Sequence, residues 1–290
     1  MTTLPNDVPA VWIEDLVFER SGPLRQALKA AIINPFGNYF PAPVLKLALW
    51  MLGSELAAAS WKDPGGWRSM VISYASHRKR LADKILCTLG TVPKALRNRR
   101  LLAGRVLSRL IDRAEGLGQG EPVHVLCLGA GPGVIINDAM RAATRASHAT
   151  LVDLSSEAFE YGRRLAAESG MADRVRFIQG DVRNVAGMLQ QPPNIVKMLG
   201  ICEYLSDEQV TDIVRTVARV MPAGSRIVFN SISDAHGTDR FFRRVFGLKM
   251  IHRSPADLAN LMRRAGFDDF TALAEPLGVF HIVVGRKVAE

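Results

Sequence analysis

Two kinds of residue in this sequence are spaced for ligand chemistry. Three glycines, Gly129, Gly131 and Gly133, close the apolar run that begins Val123-His-Val-Leu-Cys-Leu, and a carboxylate, Asp153, stands twenty residues beyond the last of them. Glycine has no Cβ, so a turn built from it accepts positive φ and lets a ligand approach the main chain. The pattern from Val134 to about Ala146 predicts a helix, whose first N–H groups are unpaired and whose dipole is positive at that end. A polar or negative ligand tail fits there. An acid that ends the next strand, Ala149-Thr-Leu-Val-Asp153, can bind both hydroxyls of a ribose. An adenosine-bearing ligand is the expectation.

The elements that must hold these residues change character along the chain. Residues 1–118 carry helical spacing over Glu14 to Ala31, Val44 to Ala59, Arg68 to Leu89 and Ala95 to Glu115, with no strand alternation. Two aromatic loops, Asn34 to Pro43 and Trp61 to Trp67, interrupt them and suit either a lid over the ligand or plugs between helices. The Gly116-to-Pro122 segment marks a boundary, and residues 119–290 alternate strands with helices. Further strands are expected at Val175–Ile178, Ile195–Leu199, Arg226–Asn230, about Phe270 to Ala274, and Val279–Gly285. The fold class is therefore α/β: a doubly wound, mostly parallel seven-stranded sheet with an antiparallel last strand, preceded by an all-helical domain. Ser206-to-Gln209 and Ser254-to-Asp257 read as helix starts. Glu275-Pro-Leu-Gly278 is short enough to force a hairpin.

Composition narrows the function classes. The net charge of +9 lies in the front of the chain, where residues 1–120 hold 17 Lys and Arg against 9 Asp and Glu. No aromatic residues interleave with that run, so nucleic acid is not the expected partner. A solvated face, an anionic small molecule or a peripheral membrane contact remain open. Cys87, Cys127 and Cys202 form no CxxC pair, and His77, His236, His252 and His281 have no ligand spacing, so no metal is implied. The start, Met1 to Asp7, has no signal-peptide pattern, and a reducing cytoplasm is expected. Nothing in the sequence speaks to oligomeric state.

Over residues 120–290 the sequence resembles the class I S-adenosylmethionine-dependent methyltransferases. The resemblance rests on Gly129-x-Gly131-x-Gly133, Asp153, Gly180-Asp181 and the closing Phe280-to-Lys287 strand. It implies S-adenosyl-L-methionine as cofactor, with Gly129, Ala130, Gly131 and Gly133 at its methionine part and Asp153 and Leu154 at the ribose. Asp181 and Val182 would hold the adenine, and Leu199 and Gly200 would complete the wall. A dinucleotide motif would need a glycine at Val134. The chain departs from the family in starting its fourth strand with Pro193-Asn194, where many members have an acid. Leu199 to Asp207 and Lys249 to Leu258 are similar to a bacterial subgroup related to fatty-acid methyl ester formation.

The implied reaction is methyl transfer to a small, partly apolar acceptor. A sulfonium is already activated, so the protein chiefly aligns the acceptor and excludes water. A carboxylate acceptor would want arginines or amide donors to orient it, with Arg253 and the basic helical front as the candidates and a surface role for Arg253 as the alternative. A hydroxyl or amine would want a base, for which Glu203, Tyr204 and His236 are the candidates. Aminocarboxypropyl transfer from the same cofactor, as in nicotianamine-synthase-like enzymes, and a non-catalytic binding module are the alternatives.

Overall fold

The computed structural model describes residues 12–75, 79–118 and 120–289, so His77 and Met1 to Asp7 lie outside the described residues. Helices α1 (Pro23–Leu28), α2 (Asn34–Tyr39), α3 (Ala42–Met51), α4 (Glu55–Lys62), α5 (Trp67–Tyr74), α6 (Leu81–Leu89) and α7 (Thr91–Asp112) form the front. Strands β1 (Val123–Leu128), β2 (Ser147–Asp153), β3 (Val175–Gln179), β4 (Ile195–Met198), β5 (Arg226–Ile232), β6 (Phe267–Ala274) and β7 (Phe280–Lys287) follow. Interleaved with them are α8 (Val134–Ala142), α9 (Ser156–Glu168), α10 (Asp207–Ala218), α11 (Asp239–Phe241) and α12 (Pro255–Arg263).

The sheet order is β3-β2-β1-β4-β5-β7-β6, with β7 antiparallel to both neighbours and every other pairing parallel. The order reverses between β1 and β4, and that switch point opens a crevice beyond the carboxyl ends of the strands. Alternation along β1 divides the core. Val123, Val125 and Cys127 pack with α7, α8 and α9, while Leu126 and Leu128 pack with α10 and α12. Both predicted helix starts are capping boxes, Ser206 with Gln209 and Ser254 with Asp257. Asn194, where the family pattern favours an acid, uses its side-chain oxygen to accept from the His124 N–H at 2.8 Å and ties β4 to β1.

The helical front differs from the sequence expectation in five places. Residues 14–22 form no regular helix; instead they lie along α7, where the Glu19 N–H donates to Asn98 Oδ1 at 2.8 Å and Trp12 enters the core. The expected Asn34-to-Pro43 loop is helical through Tyr39, because a π turn at Lys29–Ile33 leads directly into Pro35 and accommodates a residue without an N–H. Gly53, at φ +61°, ends α3, and the side chain of Ser54 caps α4, so one expected helix is two. Arg68 to Leu89 is likewise two helices, α5 and α6, with α5 ending at Tyr74. Finally, α7 buries Leu102, Val106, Leu107 and Ile111 in the core of the sheet, so the α/β layer reaches back across residue 118.

Candidate active site

The glycine turn is built as its spacing requires. Gly129, Gly131 and Gly133 adopt φ of +56°, +53° and +76°. A Cβ on Gly133 would lie 2.4 Å from Leu151 Cδ2, and one on Gly129 would lie 3.0 Å from Ile201 Cδ1. Asp153 fixes the turn from the neighbouring strand: Oδ2 accepts from the Gly131 N–H at 2.7 Å and Oδ1 from the Ser155 N–H at 2.9 Å. Each carboxylate oxygen keeps capacity for a further donor.

These residues border a cavity of about 530 Å³, a size typical of small-molecule sites, roughly 300–1,000 Å³. Gly129, Ala130, Gly131, Asp153, Leu154, Asp181, Val182, Leu199 and Gly200 line it; Gly133 lies just behind, as the N-cap of α8. Nine of the ten residues expected at the cofactor therefore share one surface. At the rim, Asp181 accepts from the Arg183 N–H at 2.9 Å, and the adjacent Arg183 guanidinium holds its carboxyl below the usual range. Opposite the turn, Trp67, Met70, Val71 and Tyr74 on α5 form a cover, pinned to α9 by Arg68 and Glu157 at 2.8 Å. The Trp61-to-Trp67 loop thus contributes to the wall, through Asp63 to Trp67, whereas the Asn34-to-Pro43 stretch does not reach it.

Two buried cations also line the cavity. Lys197, in the middle of β4, is 3% exposed, and its burial depresses its pKa. Arg99 of α7 is likewise 3% exposed, with its guanidinium 4.7 Å from the centre of the Phe280 ring and Nη2 donating to the Tyr74 hydroxyl at 3.4 Å. Its Nη1 lies 3.8 Å from Glu203 Oε1. Arg99 Nε and Nη1 and Glu203 Oε2 are buried with no hydrogen-bond partner among the described residues. Burial pushes the Glu203 carboxyl up, opposed by the Arg99 charge.

The three residues expected to supply a base end up in different environments. Tyr204 lines the cavity, and burial raises its phenol above the usual range. Its oxygen sits against Gly65, where an added Cβ would be only 2.5 Å away. Glu203 stands behind it, on a narrow and largely apolar cavity of about 60 Å³ that shares Arg99 and Tyr204 with the first. His236 borders neither: Nδ1 accepts from the Thr238 N–H at 3.1 Å, and the ring packs against Phe242 and His252. Burial lowers its pKa to about 4.

Arg253, one of the candidates to orient a carboxylate, is committed elsewhere. It donates to the carbonyls of Cys202 at 2.6 Å and Leu205 at 2.8 Å and to Asp207 Oδ1 at 2.8 Å, clamping the loop after β4. Among the described residues no cluster of three metal-ligating side chains occurs.

Lys197 was not among the expected site residues and Arg99 was covered only as part of the basic helical front, though both left a trace in the sequence. Lys197 interrupts the apolar Ile195-Val-Lys-Met-Leu199 strand, and Arg99 falls three residues after Leu96, on the buried stripe of α7.

A glycine turn and a strand-end acid at the switch point of a 3-2-1-4-5-7-6 sheet define a class I methyltransferase fold. The family described as "Putative methyltransferase" matches residues 77–287, and the chain belongs to that family. Over 132 residues it is 33% identical to aclacinomycin 10-hydroxylase RdmB of Streptomyces purpurascens, covering 44% of this chain and 33% of that protein. The chain spans about a third to a half of the length of the curated relatives it matches. Among solved structures, a Bordetella parapertussis protein described as a possible exported protein superposes with a TM-score of 0.64 at 15% identity, covering 86% of this chain and 97% of that one. Magnesium protoporphyrin IX methyltransferase of Synechocystis PCC 6803 gives 0.56 at 12% identity, covering 83% and 99%. No helix among the described residues is long and apolar enough to cross a membrane.

Proposed function

We propose that this chain binds S-adenosyl-L-methionine in the larger cavity and transfers its methyl group to a small, partly apolar acceptor. The observation that carries the reading is the Gly131 to Asp153 hydrogen bond, which locks a Cβ-free turn and a strand-end carboxylate together under one pocket. When bound, the cofactor supplies an activated methyl group on a sulfonium. Gly129, Ala130, Gly131 and Gly133 leave room for its methionine part, and Asp153 accepts from the ribose hydroxyls beside Leu154. Asp181 and the Val182 N–H meet the adenine edge, while Leu199 and Gly200 form the far wall. Lys197 supplies a buried positive charge near the turn.

The remaining residues act on the acceptor. Trp67, Met70, Val71 and Tyr74 exclude water from above. The narrow cavity walled by Leu96, Ile232, Phe242, Met250 and Phe280 suits an apolar portion of the acceptor, with Tyr204 and Arg99 at the junction offering hydrogen bonds to its polar end. Glu203 acts as a positioning residue that holds Arg99, and the chemistry needs no dedicated base where the acceptor attacks as an anion.

The test is product analysis by mass spectrometry after incubation with S-adenosylmethionine and a panel of lipophilic acids, phenols and amines. Methyl transfer leaves S-adenosylhomocysteine. Methylthioadenosine would mean aminocarboxypropyl transfer instead, and failure of the folded chain to bind the cofactor would leave a binding module.

A further inference from the structure

The helical front carries a surface that the site above does not use. From Pro23 to Met51 only Lys29 is buried, and neither α1, α2 nor α3 buries a single residue. The exposed side chains are nevertheless large and apolar: Leu24 is 84% exposed, Ile32 60%, Phe36 54%, Leu47 55%, Trp50 70% and Met51 71%. An apolar face of this extent marks an interaction surface. Its charge is one-sided. Between Arg20 and Ser54 the sequence has no Asp or Glu, and its exposed charged residues are Arg20, Arg25 and Lys46, Lys29 being turned inward to Thr91. The start of α6 adjoins it, since a Cβ on Gly53 would lie 3.7 Å from the Arg80 guanidinium, and there Leu81 and Ile85 are exposed beside Lys79 and Lys84.

We propose that this face seats the protein on an anionic lipid surface. Apolar side chains with tryptophan among them, flanked by cations and with no carboxylate from Arg20 to Ser54, match the headgroup boundary of such a bilayer. Two copies meeting through the same face would instead oppose cation to cation, with no acid in the stretch to pair them. A shallow apolar groove of about 480 Å³ is lined by Lys46, Leu47 and Trp50 of the face together with Trp61 and Pro64. Pro64 also lines the larger cavity. Pro64 thus joins the wall of the groove to that of the proposed methyl-transfer cavity, and this last step alone rests on the function proposed above.

Flotation of the full chain with phosphatidylcholine vesicles, with and without phosphatidylglycerol, tests the docking. The expected result is binding to the phosphatidylglycerol vesicles, weakened by salt, and a roughly tenfold or greater loss of partition in the L47E/W50E variant. Both side chains are exposed, so its melting temperature and its titration with S-adenosylhomocysteine should match those of the parent. A charge-only variant, R25E/K46E, should lose binding mainly at low salt. Absence of flotation with the anionic vesicles would overturn the proposal, as would a stable lipid-free dimer that L47E/W50E dissolves. Because vesicle binding needs no cofactor, its failure is separable from failure of the methyl-transfer reading.

Discussion

The Gly131 N–H donates to Asp153 Oδ2 at 2.7 Å, so the residue proposed to hold the ribose also holds the turn proposed to receive the methionine part. Replacing Asp153 with alanine removes both at once. A hydrogen bond to a charged group contributes about 1.5–3 kcal/mol, and D153A should therefore weaken S-adenosylhomocysteine binding about tenfold or more. D153N keeps an acceptor for Gly131 and should fall between the two. Calorimetric titration reads both, and an unchanged dissociation constant in D153A would remove the ribose assignment.

Arg253 predicts the opposite pattern. Its guanidinium satisfies two loop carbonyls and Asp207, and it is 8% exposed. Arg253→Met should cost about 2–4 kcal/mol in urea unfolding. Cofactor affinity should change far less than stability, because the residue is absent from the cavity wall.

The Arg99 and Glu203 pair is coupled by burial. Removing the arginine alone leaves a carboxylate in a site that already pushes its pKa up, and Arg99→Met should destabilise by about 3–5 kcal/mol. Adding Glu203→Gln should recover part of that loss. A double-mutant cycle by urea unfolding measures the recovery; strictly additive effects would mean that the two side chains do not interact.

Acid should destabilise the fold through two buried histidines. Burial holds His236 at about 4 in the folded state, and His124 at about 4 with help from the facing His148 charge, against 6.5 for the free side chain. As pH falls below 6.5 the unfolded chain takes up these protons first. The stabilisation is therefore present above pH 6.5 and is lost progressively toward pH 4, by up to about 3 kcal/mol for each group. Urea unfolding between pH 4 and 7.5 reads the slope, which His236→Leu should reduce.

What the sequence made legible follows from how local each signal is. The strands, both capping boxes and the closing hairpin depend on a few adjacent residues, and the sheet showed each of them. The Asn34-to-Pro43 stretch misled because Pro35 normally breaks a helix, while a π turn just before it removes the conflict. Arg253 misled because an arginine's partners are chosen by tertiary packing, here by carbonyls brought together after β4. His236 follows β5 as expected, but its side chain turns toward Thr238 and away from the crevice. Arg99 was hidden within a basic run, where only its register on α7 separates a buried cation from its solvated neighbours.

The most direct measurement is calorimetric titration of the full chain with S-adenosylhomocysteine, repeated on D153A. One saturable site that D153A weakens about tenfold or more is the predicted result. A folded parent protein that shows no heat of binding and no ligand-induced rise in melting temperature would contradict the account, leaving the glycine turn and Asp153 as a piece of architecture.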